Sequence, residues 1–162
     1  MIASVDIPAT ATSVELWFAI NNRWGCIAYD SNENQNYRFA IKRSSTGAVL
    51  SFDADWNETQ SDAIHAGDSI VVHYDPARLA GCQSSSGGHA TWAITAFWRV
   101  DGGTTRSLRV TRETTAATIE AADPKLTVPS GSELEMWFQA TNVYGCHDYD
   151  SNLNANYHFT ID

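Results

Sequence analysis

Hydrophobic and polar residues alternate along most of the chain, and no stretch shows a long helical period. This period of two predicts short strands at residues 14–19, 37–42, 48–56, 69–74, 92–100, 105–111, 117–120, 126–128, 134–140 and 157–161. Asp101-Gly102-Gly103 is typical of a tight hairpin turn, and Trp92 and Trp98 share the predicted inward face of their strand. About ten short strands between turn signals predict an antiparallel β-sandwich.

The two ends of the chain repeat each other. Residues 14–42 and residues 134–162 are identical at 15 of 29 aligned positions, without a gap. Most of these identities are polar residues or glycine in a presumed loop, so a shared apolar pattern does not explain them. Residues 5–16 also parallel residues 126–136 with a one-residue shift, which extends the repeat to two predicted hairpins, at residues 5–42 and 126–162.

Two domain arrangements are compatible with this repeat. Residues 1–162 can form a single β-sandwich domain that contains both hairpins, or the chain can be cut from a tandem array with a period of 120 residues. An isolated β fragment of residues 1–42 would leave its apolar face and strand edges uncovered. We therefore favour the single domain.

Composition narrows the classes of partner. The chain has 162 residues, 43% of them hydrophobic, with six each of Trp, Tyr and Phe, which is enough for one sizeable core. The formal net charge of −9 argues against nucleic acid and anionic membrane as partners. No apolar run is long enough for a transmembrane helix. Residues 1–13 lack a signal-peptide pattern, so the location stays open between the cytoplasm and secretion after processing.

Three cysteines stand at positions 26, 82 and 146. Cys26 and Cys146 occupy equivalent positions in the two repeats. In a reducing compartment all three would be small apolar residues, whereas in an oxidising one Cys82 would bridge to one of the two equivalent cysteines. The spacing does not match a zinc site.

The repeated loops place oxygen-bearing side chains at every second position. The candidate metal ligands are Asp30, Asn32, Asn34, Asp150, Asn152 and Asn154. Such spacing can converge on calcium, as in the first half of an EF-hand loop, although the second half of that motif is missing here. Asn and Asp also adopt left-handed backbone conformations and close local turns, which would explain the composition without an ion. Both interpretations stay open.

The sequence Tyr-Asp-Ser-Asn-x-Asn-x-Asn-Tyr, present in both hairpins, resembles the W-D-N-N-x-G-x-N-Y motif of starch- and glycogen-binding carbohydrate-binding modules. The matching positions are Asp30, Asn32, Asn36, Tyr37, Asp150, Asn152, Asn156 and Tyr157, with Tyr29 and Tyr149 in place of the first Trp. The resemblance implies that these residues contact carbohydrate.

The whole chain also resembles an uncharacterised bacterial family that is common in myxobacteria. The motifs that carry the resemblance are E-L-W-F at 15–18, G-C-x-x-Y-D-S at 25–31, Y-D-P-x-R-L at 74–79 and W-x-I-T-x-x-x-R-x-D-G-G at 92–103. This family implies no activity. Its members carry the hairpin at both ends, which again favours a single sandwich.

The candidates for stacking on sugar rings are Trp24, Tyr144 and Trp56, the last at the end of a predicted strand. Trp24 and Tyr144 precede Gly-Cys in the two hairpins and are predicted at loop tips, where a flat ring can stack on a pyranose. Trp17 and Trp137 are predicted to point away from the core. They can be covered by a partner subunit, which predicts a homodimer through these two faces.

The pattern as a whole predicts a non-catalytic, lectin-like domain that binds carbohydrate through loop aromatics and Asn-rich loops. Five histidines are scattered singly, and no nucleophile motif selects a catalytic group, so we do not expect an enzyme. The alternative is a structural or protein-interaction β-sandwich without a sugar ligand, with or without stabilising calcium.

Overall fold

The computed structural model describes residues 11–41 and 47–162. The chain divides into two compact units, residues 1–44 and residues 45–162, which we describe separately. The described residues are almost entirely β, as the alternation predicts. The strands of the first unit are β1 Ser13–Leu16, β2 Phe18–Asn21, β3 Ile27–Asp30 and β4 Tyr37–Ala40. Those of the second are β5 Val49–Phe52, β6 Glu58–Gln60, β7 Ser69–Tyr74, β8 Ser85–Ser86, β9 His89–Ala90, β10 Trp92–Val100, β11 Arg106–Arg109, β12 Thr111–Thr115, β13 Thr118–Ala121, β14 Lys125–Thr127, β15 Glu133–Asn142, β16 His147–Asp150 and β17 Tyr157–Thr160.

A five-stranded antiparallel sheet forms one layer of the second unit. Its order is β11-β10-β15-β16, and β17 also pairs with β15. β10 lies along one edge of β15 from Leu134 to Asn142. β16 and β17 therefore share the opposite edge, with the Asn-rich loop between them. The predicted turn at Asp101 and Gly102 is confirmed, since both residues have positive φ and join β10 to the segment that leads into β11.

A four-stranded sheet forms the second layer, in the order β14-β7-β5-β6. β5 and β7 are parallel, whereas the sequence analysis predicted antiparallel pairing throughout. The reason is topological: β6 folds back antiparallel on β5, and the chain then crosses to the other edge of β5 before β7 begins.

The core lies between these two sheets. The ring of Phe138 on β15 lies 4.5 Å from that of Phe52 and 4.2 Å from that of Tyr74, measured between centroids. Trp98 is buried, as predicted, while Trp92 is only partly buried and packs at the edge of the core. Full burial of a large apolar side chain stabilises a fold by roughly 1.5–3 kcal/mol.

The first unit reproduces the strand pairing of the C-terminal hairpin. β1 pairs with β4 and β2 pairs with β3, and Val14 faces Phe39 just as Leu134 faces Phe159. We call residues 11–41 hairpin 1 and residues 133–161 hairpin 2. Residues 5–10 and 42 of the predicted first hairpin lie outside the described residues.

The structure corrects two loop predictions. The residues that lead into each Asn-rich loop are strand rather than loop, because β3 and β16, which end at Asp30 and Asp150, pair with the strands before them. The Ser and Gly content of residues 74–90 predicts a flexible surface loop, but this segment contains a 3₁₀ helix at Pro76–Leu79 whose Arg78 and Leu79 are buried. Among the described residues, no helix is long and apolar enough to cross a membrane. The single-domain arrangement stays a prediction.

Candidate functional site

The solvent-facing side of the five-stranded sheet carries a row of aromatic rings. Alternation along β10 and β15 puts Phe97 and Trp137 on this side, opposite each other in the register. Their rings stack nearly parallel, at 12° and 5.8 Å between centroids. Tyr149 on β16 belongs to the same side and is exposed. We call this surface the outer face.

Polar groups surround these rings. The amide of Gln139 donates to the hydroxyl of Tyr149 at 2.6 Å and lies 3.1 Å from Nδ1 of His147. Glu135 and Arg99 face each other across β15 and β10, with a hydrogen bond of 2.9 Å from Nη2 to Oε1. The outer face thus combines flat apolar rings with fixed hydrogen-bonding groups.

On the outer face the carboxylate of Glu135 is contacted by both Arg99 and Asn156. Hydrogen bonding from Arg99 lowers the pKa of Glu135, so the carboxylate is ionised at neutral pH. The amide of Asn156 donates to the same carboxylate at 2.6 Å. The Arg99 guanidinium also lies 5.7 Å from the ring centroid of Trp137. Arg99 therefore contacts both the carboxylate of Glu135 and the ring of Trp137.

Hairpin 1 presents part of the same pattern. Trp17 and Tyr29 are exposed, and Asn36 donates to Glu15 at 2.7 Å. The copy is incomplete, because Ala19 stands where hairpin 2 has Gln139. Its strand is also interrupted at Trp17 between β1 and β2.

Two predicted carbohydrate-binding residues of hairpin 2 lie in the core. Asp150 is buried and accepts hydrogen bonds from Arg78 at 2.7 Å, Tyr74 at 3.0 Å and Tyr157. We call these four residues the buried network. Burial, together with the hydrogen bond to Asp150, raises the pKa of Tyr157 to about 12. Both phenols are therefore neutral at physiological pH, and Asp150 and Arg78 form a buried ion pair.

The equivalent residues of hairpin 1 are accessible. Tyr37 donates to Asp30 at 2.6 Å, and this hydrogen bond raises the pKa of the Tyr37 phenol. The pair reproduces the contact between Tyr157 and Asp150 but lies at the surface. The sequence motif therefore has a buried form and an exposed form in one chain.

The asparagines of the repeated loops adopt left-handed backbone conformations. All six of them have positive φ: Asn32, Asn34, Asn36, Asn152, Asn154 and Asn156. Asn152 donates through its amide to the carbonyl of Asn156 at 3.1 Å, and Asn32 does the same to Asn36 at 3.2 Å. The amides of Asn36 and Asn156 are engaged with glutamates, as above. These contacts account for the composition of the loop by backbone geometry.

The described residues contain no cluster of three or more His, Cys, Asp or Glu side chains that could hold a metal ion. Asp30 and Asp150 each accept a hydrogen bond from a tyrosine, as described above. Calcium binding by the Asn-rich loops stays a prediction. A melting curve in excess chelator, started from calcium-loaded protein, tests it.

Both predicted loop-tip aromatics are exposed. Trp24 has 80% and Tyr144 has 65% of its surface accessible. Each sits in a turn closed by an asparagine: Asn22 accepts from the backbone N–H of Trp24, and Asn142 from that of Tyr144. The tips are thus available to a ligand, but Tyr144 lies on a connecting turn rather than among the rings of the outer face.

A shallow groove of about 440 Å³ lies on the second unit. It is lined by Trp92 and by polar side chains that include His73, Asp75, Gln83 and Glu120. His73 is paired with Asp123 at 2.6 Å. Sequence analysis identified neither this groove nor Phe97, Arg99 and Gln139 of the outer face. The alternation of β10 and β15 was the signal that could have found those three.

The fold and the outer face define an all-β protein with an aromatic, solvent-facing sheet. Comparison with known families identifies the family to which the chain belongs. The profile of DUF6209, a family of unknown function, matches residues 1–162, and the chain belongs to this family. The prediction of an uncharacterised family is thereby confirmed. No curated protein and no solved structure matches the chain.

Proposed function

We propose that this protein binds carbohydrate without catalysing a reaction on it, and that the outer face is its binding surface. The observation that carries the proposal is the near-parallel stack of Phe97 on Trp137 beside exposed Tyr149. The ring of Tyr149, and the faces of Phe97 and Trp137 that are not turned toward each other, can stack on the C–H faces of pyranoses. An extended polysaccharide chain is therefore the favoured ligand class.

Specificity would come from the polar groups around the rings. Gln139 and His147 offer amide and imidazole groups beside Tyr149. The Arg99–Glu135 pair offers a donor and an acceptor beside Trp137. Sugar hydroxyls need partners of both kinds near the plane of the ring, because a buried hydroxyl without a partner costs binding free energy.

The resemblance to starch-binding modules supports the ligand class more than the individual residues. In hairpin 2, Asp150 and Tyr157 are engaged in the buried network, so they act on binding through the fold. Tyr149, which replaces the Trp of that motif, is the motif residue that belongs to the outer face. The site we propose is thus centred on the sheet rather than on the Asn-rich loops.

Pull-down on insoluble polysaccharides and a glycan array would test this proposal. Trp137→Ala and Tyr149→Ala should each lower affinity about 5- to 150-fold, since loss of one stacked ring is worth roughly 1–3 kcal/mol by analogy with base stacking. Tyr144→Ala is the matched control: it removes an exposed tyrosine from the same hairpin and should leave binding unchanged.

Other outcomes would place the function elsewhere. Loss of binding in Trp24→Ala and Tyr144→Ala, with Trp137→Ala unaffected, would move the site to the loop tips. A dimer in sedimentation that Trp137→Ala dissociates, together with no glycan bound, would make the outer face a subunit interface. Binding to none of the glycans would refute the proposal.

A further inference from the structure

Hairpin 1 repeats the residues by which hairpin 2 attaches to the rest of its unit. We call residues 47–128 the body, since hairpin 2 packs on them. The equivalent pairs, each 120 positions apart, are Phe18 and Phe138, Cys26 and Cys146, Asp30 and Asp150, Tyr37 and Tyr157, Phe39 and Phe159, and Ile41 and Ile161.

In hairpin 2 these residues make three kinds of contact with the body. Phe138 packs against aromatic rings of β5 and β7. Asp150 forms the buried ion pair with Arg78. Cys146 is joined to Cys82 by a disulfide with Cα atoms 5.6 Å apart. Apolar, ionic and covalent contacts thus all join hairpin 2 to the part of the body between Phe52 and Cys82.

In hairpin 1 four of these side chains, Phe18, Cys26, Asp30 and Phe39, are exposed, and Tyr37 and Ile41 are half-buried. Phe18 has 58% of its surface accessible, whereas Phe138 has none. Phe39 is exposed as well, and Cys26 is an exposed free thiol. Asp30 already holds the hydroxyl of Tyr37, as Asp150 holds that of Tyr157. We call this side of hairpin 1 its docking face.

We propose that the docking face binds the body of another polypeptide of the same kind. This partner carries an aromatic pair like Phe52 and Tyr74, an arginine at the position of Arg78, and a reduced cysteine at that of Cys82. Hairpin 2 shows the contacts that such a body would make. A hairpin that had lost this role would have no reason to retain the aspartate, both aromatics and the cysteine together.

The charge of Asp30 favours a body, rather than a second copy of hairpin 1, as the partner of the docking face. Two hairpins packed face to face would bury Asp30 without a cation, and an unpaired buried carboxylate is costly. A body supplies the arginine. Hairpin 2 already occupies the body described here, so that body is not free for hairpin 1. The partner must therefore bring a body whose hairpin position is open or can be vacated.

Disulfide trapping tests this proposal with full-length chains. The donor is the wild-type protein, in which Cys26 is the free thiol. The acceptor is the same chain with Cys26→Ser and Cys146→Ser, which leaves Cys82 as a thiol. A second acceptor adds Asp150→Asn, so that Arg78 loses the carboxylate of its own hairpin. Oxidised glutathione accepts the two electrons: the two thiols become one disulfide, and each oxidised glutathione yields two reduced ones.

A donor–acceptor dimer linked from Cys26 to Cys82 is expected, identified by mass spectrometry of the joined peptides. Its yield should be several-fold higher with the second acceptor. Donor Asp30→Asn should lower the yield at least about fivefold. The matched donor control Glu33→Gln removes one exposed carboxylate from the same loop and should leave the yield unchanged.

Absence of this dimer with the first acceptor would overturn the proposal. If the second acceptor does not fold, the result with the first acceptor alone decides. Equal yields from the Asp30→Asn and Glu33→Gln donors would also overturn it, because they would show random collision of thiols. The experiment does not involve carbohydrate, so its result is independent of the function proposed for the outer face.

Discussion

Arg78 and Asp150, 72 residues apart, are joined by a hydrogen bond of 2.7 Å from Nε to Oδ2, and both side chains are almost fully buried. The guanidinium also donates to the carbonyls of Asp53 and Asn57 and to the hydroxyl of Tyr157. Every buried polar side-chain atom among the described residues has a hydrogen-bond partner. The ion pair is therefore fully satisfied and joins hairpin 2 to the body.

Asp150→Asn should lower the free energy of unfolding by about 3–5 kcal/mol, because it removes the buried counter-charge of Arg78 and leaves only the half-exposed carboxylate of Glu58, 3.9 Å away. Urea unfolding measures the change. Asp30→Asn is the matched control, since it makes the same change at the equivalent, exposed position, and we expect it to stay within about 0.5 kcal/mol. Equal effects at the two positions would show that the ion pair does not stabilise the fold.

Reduction of the Cys82–Cys146 disulfide should also destabilise the second unit. The bond joins residues 64 apart, and the chain-entropy relation gives about 4 kcal/mol for a loop of that length. Urea unfolding with and without dithiothreitol should show a loss of about 2–4 kcal/mol. Cys26→Ser should leave both curves unchanged, and a reductant effect that persists in Cys82→Ser/Cys146→Ser would contradict the assignment.

His158 should make stability depend on pH. Its imidazole lies 3.0 Å from Glu133, and this hydrogen bond raises the pKa of His158 above its ordinary value of 6.5. A raised pKa means that the folded state favours the protonated form. The stabilisation is therefore fully present below pH 6.5 and is lost as the pH rises through the folded-state pKa.

Melting curves of wild type and His158→Gln should accordingly differ most below pH 6.5 and converge at alkaline pH. Glu133→Gln removes the partner carboxylate and should abolish most of that pH-dependent difference. A gap between wild type and His158→Gln that widens with rising pH would have the wrong sign.

Leu153→Gly should stabilise the protein. Leu153 is 98% exposed and has a φ of 57°, so the substitution removes no packing and relieves a left-handed conformation that costs roughly 1–2 kcal/mol. Greater freedom of glycine in the unfolded chain offsets part of this gain, which leaves about 0.5–1 kcal/mol. In the same loop Ala155→Gly relieves no such conformation and should destabilise. A loss of stability in Leu153→Gly would assign this residue a packing role.

The sequence predicted the strands whose alternation is purely apolar and polar. β7 and β10 begin and end where the pattern places them, because each buries every second residue. β16 was missed because its inward residue, Asp150, is charged and reads as part of a polar loop. Its burial depends on Arg78, which lies 72 residues away, and a local pattern cannot show such a partner.

The candidate site was predicted in part. The outward orientation of Trp137 followed from the alternation of β15, and the exposed positions of Trp24 and Tyr144 followed from their turns. Phe97 was missed because its place beside Trp137 depends on the register between β10 and β15. That register is set by long-range packing rather than by either strand alone.

The attachment of hairpin 2 through distant contacts has a consequence for biosynthesis. Phe52 and Tyr74 are synthesised well before residues 129–161, and at roughly 5–20 residues per second those last residues take about 2–7 s to add. During this time Phe52 and Tyr74 lack the ring of Phe138 that covers them in the folded protein. The nascent chain thus displays an aromatic surface that chaperones and other nascent chains can bind. The yield of soluble protein should therefore depend on how quickly the last hairpin is synthesised.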